Sequence, residues 1–222
     1  MKKNSITKFI CSGVLFVLFF VLIALIKSYD VDAIGPESTS IGFSHLNLAV
    51  HNIFGYSKFW YFLTEIFGLV AIGVVLQYAV AGAYQLIKRK SLLKVDAPIL
   101  LLGGLYVVVF ALYGLFEKVV INYRPIIEEG AEHVEASFPS SHTMLVCVVM
   151  GSLILIINKY RLQASSSDRL LIRIIAAVII VLTVIGRLVC GVHWFTDILG
   201  GVIISGALLC LFSGLLDKTT VK

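Results

Sequence analysis

The chain has 222 residues, 59% of them hydrophobic and only 14% charged, with a mean hydropathy of +0.99. So little charge cannot cover the surface of a soluble domain of this length, which leaves a polytopic membrane protein. The net charge of +5 does not indicate a nucleic-acid partner, because the basic residues are scattered between apolar runs rather than gathered on one face.

A membrane-crossing helix needs about 20 mainly apolar residues. Six stretches qualify, approximately 8–27, 59–87, 95–117, 141–160, 169–189 and 193–215. They predict an all-α bundle of six transmembrane helices forming one domain over residues 1–222, since no long linker or low-complexity segment divides the chain. The first run follows Met1-Lys2-Lys3 in the manner of a signal peptide, but it has the length of a span and lacks a small-residue cleavage site. It is read as a retained span, with a cleaved signal as the alternative. The second run is long enough to tilt or to project beyond the bilayer.

Between these two spans, Phe43, Leu46, Val50, Ile53 and Phe54 recur at helical spacing. They predict an amphipathic helix lying in the interface, either a guide for a lipid or a structural cap. The later loop 118–140 carries Glu128, Glu129, Glu132 and Glu135, read as solvated carboxylates that would repel a nearby phosphate. Cys11, Cys147, Cys190 and Cys210 lie in or beside apolar runs without metal-ligand spacing, so they read as small core residues rather than a zinc site or disulfide framework. Phe59, Trp60, Tyr61 and Trp194 read as an interfacial aromatic belt.

Charge asymmetry orients the spans. With the N-terminus in the cytoplasm, thirteen of the 18 basic residues fall inside: Lys2, Lys3 and Lys8, then Lys88, Arg89, Lys90 and Lys94, then Lys159, Arg161, Arg169 and Arg173, then Lys218 and Lys222. Lys27, Lys58, Lys118, Arg124 and Arg187 fall outside, an arrangement the positive-inside rule favours. Both termini are then cytoplasmic in a multi-pass cell-membrane protein. The polar residues at the span ends converge on the outer face: Lys118 ends span three, Ser140 to His142 open span four, Arg187 ends span five and His193 opens span six.

Ionisable groups at a membrane edge are costly and mark a site. His193 and Asp197 stand four apart, one helical turn, so a carboxylate could accept from one imidazole nitrogen and leave the other as a nucleophile. A buried hydrogen-bonded pair is the plainer reading of that spacing. Arg187 offers a guanidinium for bidentate contact with phosphate oxygens. Ser140, Ser141 and His142 stand at a helix start, where free backbone N–H groups favour an anion. Glu65, a short way into span two, shares this depth; it could pair with Arg124 or Arg187, reach the interface, or bond a neighbouring helix.

Three blocks, Lys118…Arg124-Pro125, Pro139-Ser140-Ser141-His142 and Gly186-Arg187…His193-Trp194-Phe195-Thr196-Asp197, together resemble the signature of the type 2 phosphatidic acid phosphatase family, whose superfamily also includes vanadium haloperoxidases. The resemblance implies a membrane lipid phosphate phosphatase that needs no metal or other cofactor. His193 would attack phosphorus and form a phosphohistidine, oriented by Asp197. His142 would protonate the leaving oxygen and then activate water. Lys118, Arg124, Ser140, Ser141 and Arg187 would hold the phosphate.

There are three departures. Five residues separate Lys118 from Arg124 where the family has six, Ser141 replaces a Gly, and Gly186 replaces a Ser. The implied partners are the bilayer and a lipid phosphate, with undecaprenyl diphosphate, phosphatidylglycerol phosphate and phosphatidic acid as candidates and a slight lean to the first. Oligomeric state is left open. The competing readings are a phosphotransferase using the same histidine and a non-catalytic lipid-binding or transport component.

Overall fold

The computed structural model describes residues 3–128, 130–160 and 165–219; Lys2, Glu129, Arg161 and Lys222, which entered the charge readings, lie outside them. Among the described residues there are seven α-helices: α1 (Lys3–Ser28), α2 (Ser44–Phe54), α3 (Lys58–Arg89), α4 (Ala97–Lys118), α5 (Ser141–Lys159), α6 (Ser166–Val189) and α7 (Phe195–Leu216). Six are long and apolar enough to cross a membrane, and α2 is the short helix between the first two spans.

Two helices form the axis of the bundle. α5 and α7 each bury 56% of their apolar stretch, whereas α1, α3, α4 and α6 bury between 11% and 28% and turn the rest outward. α1 packs along α7, α6 along α5, and α3 bridges α5 and α6. Phe19, Phe116 and Phe138 interlock beside this axis, the Phe19 and Phe138 rings stacked at 5.6 Å. The outward residues include Phe20, Ile87, Val107 and Leu171, the composition expected of a face in hydrocarbon.

Local chemistry sets the helix ends. Ser165 and Asp168 form a capping box that starts α6 three residues before the apolar run itself. Asp96 precedes α4 and receives Arg89 at 2.7 Å and Gln85 at 2.8 Å, which fixes the α3–α4 turn. Lys8 pairs with Asp217 at 2.7 Å, so the two ends of the chain share one end of the bundle. α2 and the α4–α5 and α6–α7 connections lie at the other.

The sixth span starts later than its hydropathy suggests. α7 begins at Phe195, not 193, so His193 lies before the helix and the one-turn argument for His193 and Asp197 does not apply. Gly191, at φ +72°, makes the turn, and a Cβ there would sit 2.0 Å from the Gly55 carbonyl oxygen. Asp197 then accepts the Trp194 N–H at 2.9 Å, anchoring the first turn.

α2 also differs in detail. Its buried residues are polar, Ser44 and Asn47, while Leu46, Ile53 and Phe54 turn away from the bundle. Phe43 precedes the helix in the left-handed region. Trp194 is no belt residue: it is buried, with its indole N–H donating to the Tyr123 carbonyl at 2.7 Å. Cys147 and Cys190 are core residues as expected, but Cys11 is exposed, with its sulfur 3.5 Å from that of Cys210.

Candidate active site

His193 sits in the α6–α7 turn, 3% exposed. Its Nε2 lies 3.2 Å from Arg187 Nη2. A guanidinium only donates, so Nε2 is the unprotonated nitrogen and the proton rests on Nδ1. Nδ1 faces Asp197 Oδ2 at 3.8 Å, beyond hydrogen-bond distance. Burial, and then the charges of Arg187, Arg124 and His142, hold the His193 pKa well below the usual histidine value. The ring is therefore neutral, with its lone pair directed at the guanidinium: the state a nucleophile requires.

Asp197 is fully buried and carries several bonds at once. Oδ2 takes the Trp194 N–H, Oδ1 takes Asn122 Nδ2 at 3.2 Å, and its carbonyl takes the Ser140 N–H at 3.0 Å. That last bond ties the start of α5 to the start of α7. It also occupies a backbone donor expected to be free for an anion. Ser140 is buried, its Oγ accepting from Thr143 at 3.0 Å, whereas Ser141 and His142 line the cavity.

Arg187 reaches this point because α3 and α6 approach closely at Gly186. A Cβ there would lie 2.7 Å from Thr64 Cγ2 and 2.9 Å from Trp60 Cε3, so the serine of the resembled signature has no room. The guanidinium lies 3.3 Å from Thr64 Oγ1, 3.2 Å from Glu65 Oε1 and over the Tyr61 ring at 5.5 Å. The same Glu65 oxygen lies 3.1 Å from His142 Nε2. Of the readings open for Glu65, the structure selects pairing with Arg187 and adds His142.

Arg124 is held between Glu128 at 2.5 Å and Glu135 at 3.3 Å, and Tyr61 donates to Glu128 at 3.2 Å. Both carboxylates are thus ion-pair partners of Arg124, Glu128 half-buried and Glu135 exposed as the solvated-loop reading expects. Lys118 is not brought to the site. It ends α4 exposed and lines neither cavity there, while Glu117 lines both beside Arg124. One residue of register turns a helix by about 100°, which accounts for this exchange.

A narrow recess reaches His193 past Arg124, Ser137 and Ser141. It adjoins a cavity of about 410 Å³ whose polar wall carries Glu65, Arg124, Ser141 and His142 and whose apolar wall carries Leu69, Ile72, Val109 and Phe110. At Phe110 this meets an apolar groove of about 480 Å³ between α3 and α4, floored by Gly103 and Gly104.

Two supporting residues escape the sequence reading. Asn47 donates to Thr196 Oγ1 at 3.0 Å and accepts the Thr196 N–H at 3.2 Å, and Asn122 supports Asp197. Their only sequence signal is an uncharged amide on the polar side of α2 and another just before Arg124. Asp30, Asp32 and His45 also gather, but they close the start of α2: the His45 N–H and the Ser44 hydroxyl both donate to Asp30.

Comparison with known proteins agrees with this architecture. The family model described as the PAP2 superfamily matches residues 98–220. Phosphatidylglycerophosphatase B of Bacillus subtilis (strain 168) is 34% identical over 102 residues, which is 46% of this chain and 48% of that protein; the match thus spans about half the length of that curated relative. The crystal structure of a transmembrane PAP2 type phosphatidylglycerolphosphate phosphatase from Bacillus subtilis superposes with a TM-score of 0.66 at 21% identity, covering 94% of this chain and 97% of that one. A matched segment of that extent, carrying the α4–α5 and α6–α7 connections that build the site, places this chain in the PAP2 superfamily.

Proposed function

We propose that this protein is an integral-membrane phosphatase that hydrolyses a lipid phosphate monoester of the phosphatidylglycerophosphate class at the outer membrane face, through a phosphohistidine. The observation that carries the reading is the neutral, buried His193, whose free Nε2 meets Arg187 beside a cavity lined by His142 and Ser141. In the reaction, Nε2 attacks phosphorus in line as the bond to the lipid oxygen breaks, and His142 gives that oxygen a proton. Water then attacks phosphorus, the N–P bond breaks, and His142 takes the proton from the water, leaving lipid alcohol and phosphate. Arg187 and Arg124 supply the positive charge for the equatorial oxygens, so no metal is required for that role.

Substrate class follows from charge and shape. The recess carries Arg124 with Glu117, and Arg187 stands beside His193, so two arginines are on hand, a number that suits a monoester dianion better than the greater charge of a diphosphate. This moves the preference from undecaprenyl diphosphate to the phosphate named for the Bacillus subtilis relatives. The cavity has one polar and one apolar wall and meets a groove facing the bilayer, which suits a lipid whose chains stay in the membrane. The outer face rests on the positive-inside bias, with the chain ends at the opposite end of the bundle.

The test is phosphate release in sealed vesicles of known orientation, with EDTA present, comparing wild type with His193→Ala. Short-chain lipid mono- and diphosphates are added from outside. The expected outcome is monoester hydrolysis in right-side-out vesicles only, reduced about a thousandfold or more in the variant. Release that survives His193→Ala overturns the mechanism, and a preference for diphosphates overturns the substrate class.

A further inference from the structure

We propose that Glu65, on a helix outside all three signature blocks, is a positioning residue that fixes the tautomer and orientation of the acid/base His142 and locks it to Arg187; this deepens the phosphatase reading and rests on it.

One atom makes both contacts. Glu65 Oε1 lies 3.1 Å from His142 Nε2 and 3.2 Å from Arg187 Nη1. A carboxylate only accepts, so Nε2 is the nitrogen that keeps a proton there, and Nδ1 is left to serve the leaving oxygen. When His142 is an imidazolium, Nδ1–H goes to the lipid oxygen while Nε2–H stays on Glu65. Neutral His142 then takes the proton of the attacking water back at Nδ1, so the proton count closes over the cycle.

α3 is shaped for this duty over two turns. Thr64 meets Arg187 at 3.3 Å, Tyr61 lies beneath the same guanidinium, and Gly68, three residues after Glu65, lies under the His142 ring. A Cβ at Gly68 would stand 3.1 Å from His142 Cδ2. A carboxylate that merely quenched Arg187 would not need the histidine seated on the same face.

The charged and titratable groups facing His142 come from several elements. α3 gives Glu65, α4 gives Tyr113 and Glu117, the following loop gives Arg124 and Glu135, and α6 and its turn give Arg187 and His193. Glu65 is the carboxylate in ionic contact with the ring.

The experiment uses Glu65→Leu in the full-length protein with two readouts. The first is kcat and KM on a short-chain lipid phosphate. The second needs no activity: the rate of carbethoxylation of His142 by diethyl pyrocarbonate, mapped by mass spectrometry against the exposed His133. The expected result is His142 carbethoxylated several-fold faster in the variant, because its Nε2 is no longer held. At the same time kcat falls about tenfold or more with a smaller change in KM. Glu65→Gln, whose amide oxygen still accepts from Nε2–H, restores part of both. An unchanged His142 rate in folded Glu65→Leu protein overturns the proposal whether or not lipid is hydrolysed. An active wild type whose Glu65→Leu variant keeps its kcat overturns it too. Absence of hydrolysis by wild type with faster carbethoxylation in the variant instead overturns the phosphatase reading and leaves the positioning standing.

Discussion

His193 owes its chemistry to where it is buried. Burial disfavours a charge on the ring, Arg187, Arg124 and His142 oppose a proton on it, and its pKa lies well below the usual 6.5. In the unfolded chain the same ring titrates near that ordinary value, so there the unfolded state binds the proton more readily. Its contribution to stability is therefore complete above about pH 6.5 and is lost progressively as pH falls from there toward the folded pKa. The thermal midpoint in detergent is expected to decline below about pH 6, and His193→Gln should remove part of that decline. Equal acid slopes in the two proteins would contradict the assignment.

Among the elements, α2 does more than cover the bundle. Asn47 clamps both the N–H and the hydroxyl of Thr196, the residue before Asp197, and so fixes the start of α7 from a distant part of the chain. Asn47→Ala leaves a buried backbone donor without a partner, a loss of about 1–3 kcal/mol. The variant should unfold at lower temperature in detergent and lose activity in step, as Asp197 loosens. Unchanged stability would mean that α7 is positioned by the Ser140–Asp197 and Trp194–Asp197 bonds alone.

At the scale of the whole molecule, the proposed reaction puts the lipid chain in the groove between α3 and α4. A Cβ at Gly103 would meet nothing within 4 Å, so a large side chain fits there without breaking the fold. Gly103→Trp should lower kcat/KM for a long-chain lipid phosphate about tenfold, near 1.4 kcal/mol, and leave a water-soluble ester unaffected. Equal losses on both would place the chain elsewhere.

The spans could be read from the sequence because apolar length is the dominant requirement in a bilayer. Ser141, His142, Arg187, His193 and Arg124 could be marked because polar groups at span ends are rare in so apolar a chain. What stayed hidden depends on rotation and turn geometry. One residue of register turns Lys118 away and Glu117 in, and a positive φ at Gly191 delays α7 beyond His193. The carboxylates of the α4–α5 loop read as solvent-facing; folding draws Glu128 inward against Arg124, while Glu135 reaches the same arginine and stays exposed. Asn47 and Asn122 carry no charge to mark them, and their partners lie 149 and 75 residues away along the chain.

The two-walled cavity has one more consequence. On the proposed reaction, a lipid cleaved there would part into an alcohol facing the groove between α3 and α4 and an inorganic ion facing Arg124 and Glu135. The two products would enter different phases and seldom meet again. Hydrolysis would thus be made one-way by partition as well as by bond energy, with no need for weak binding of either product to stop it running backwards.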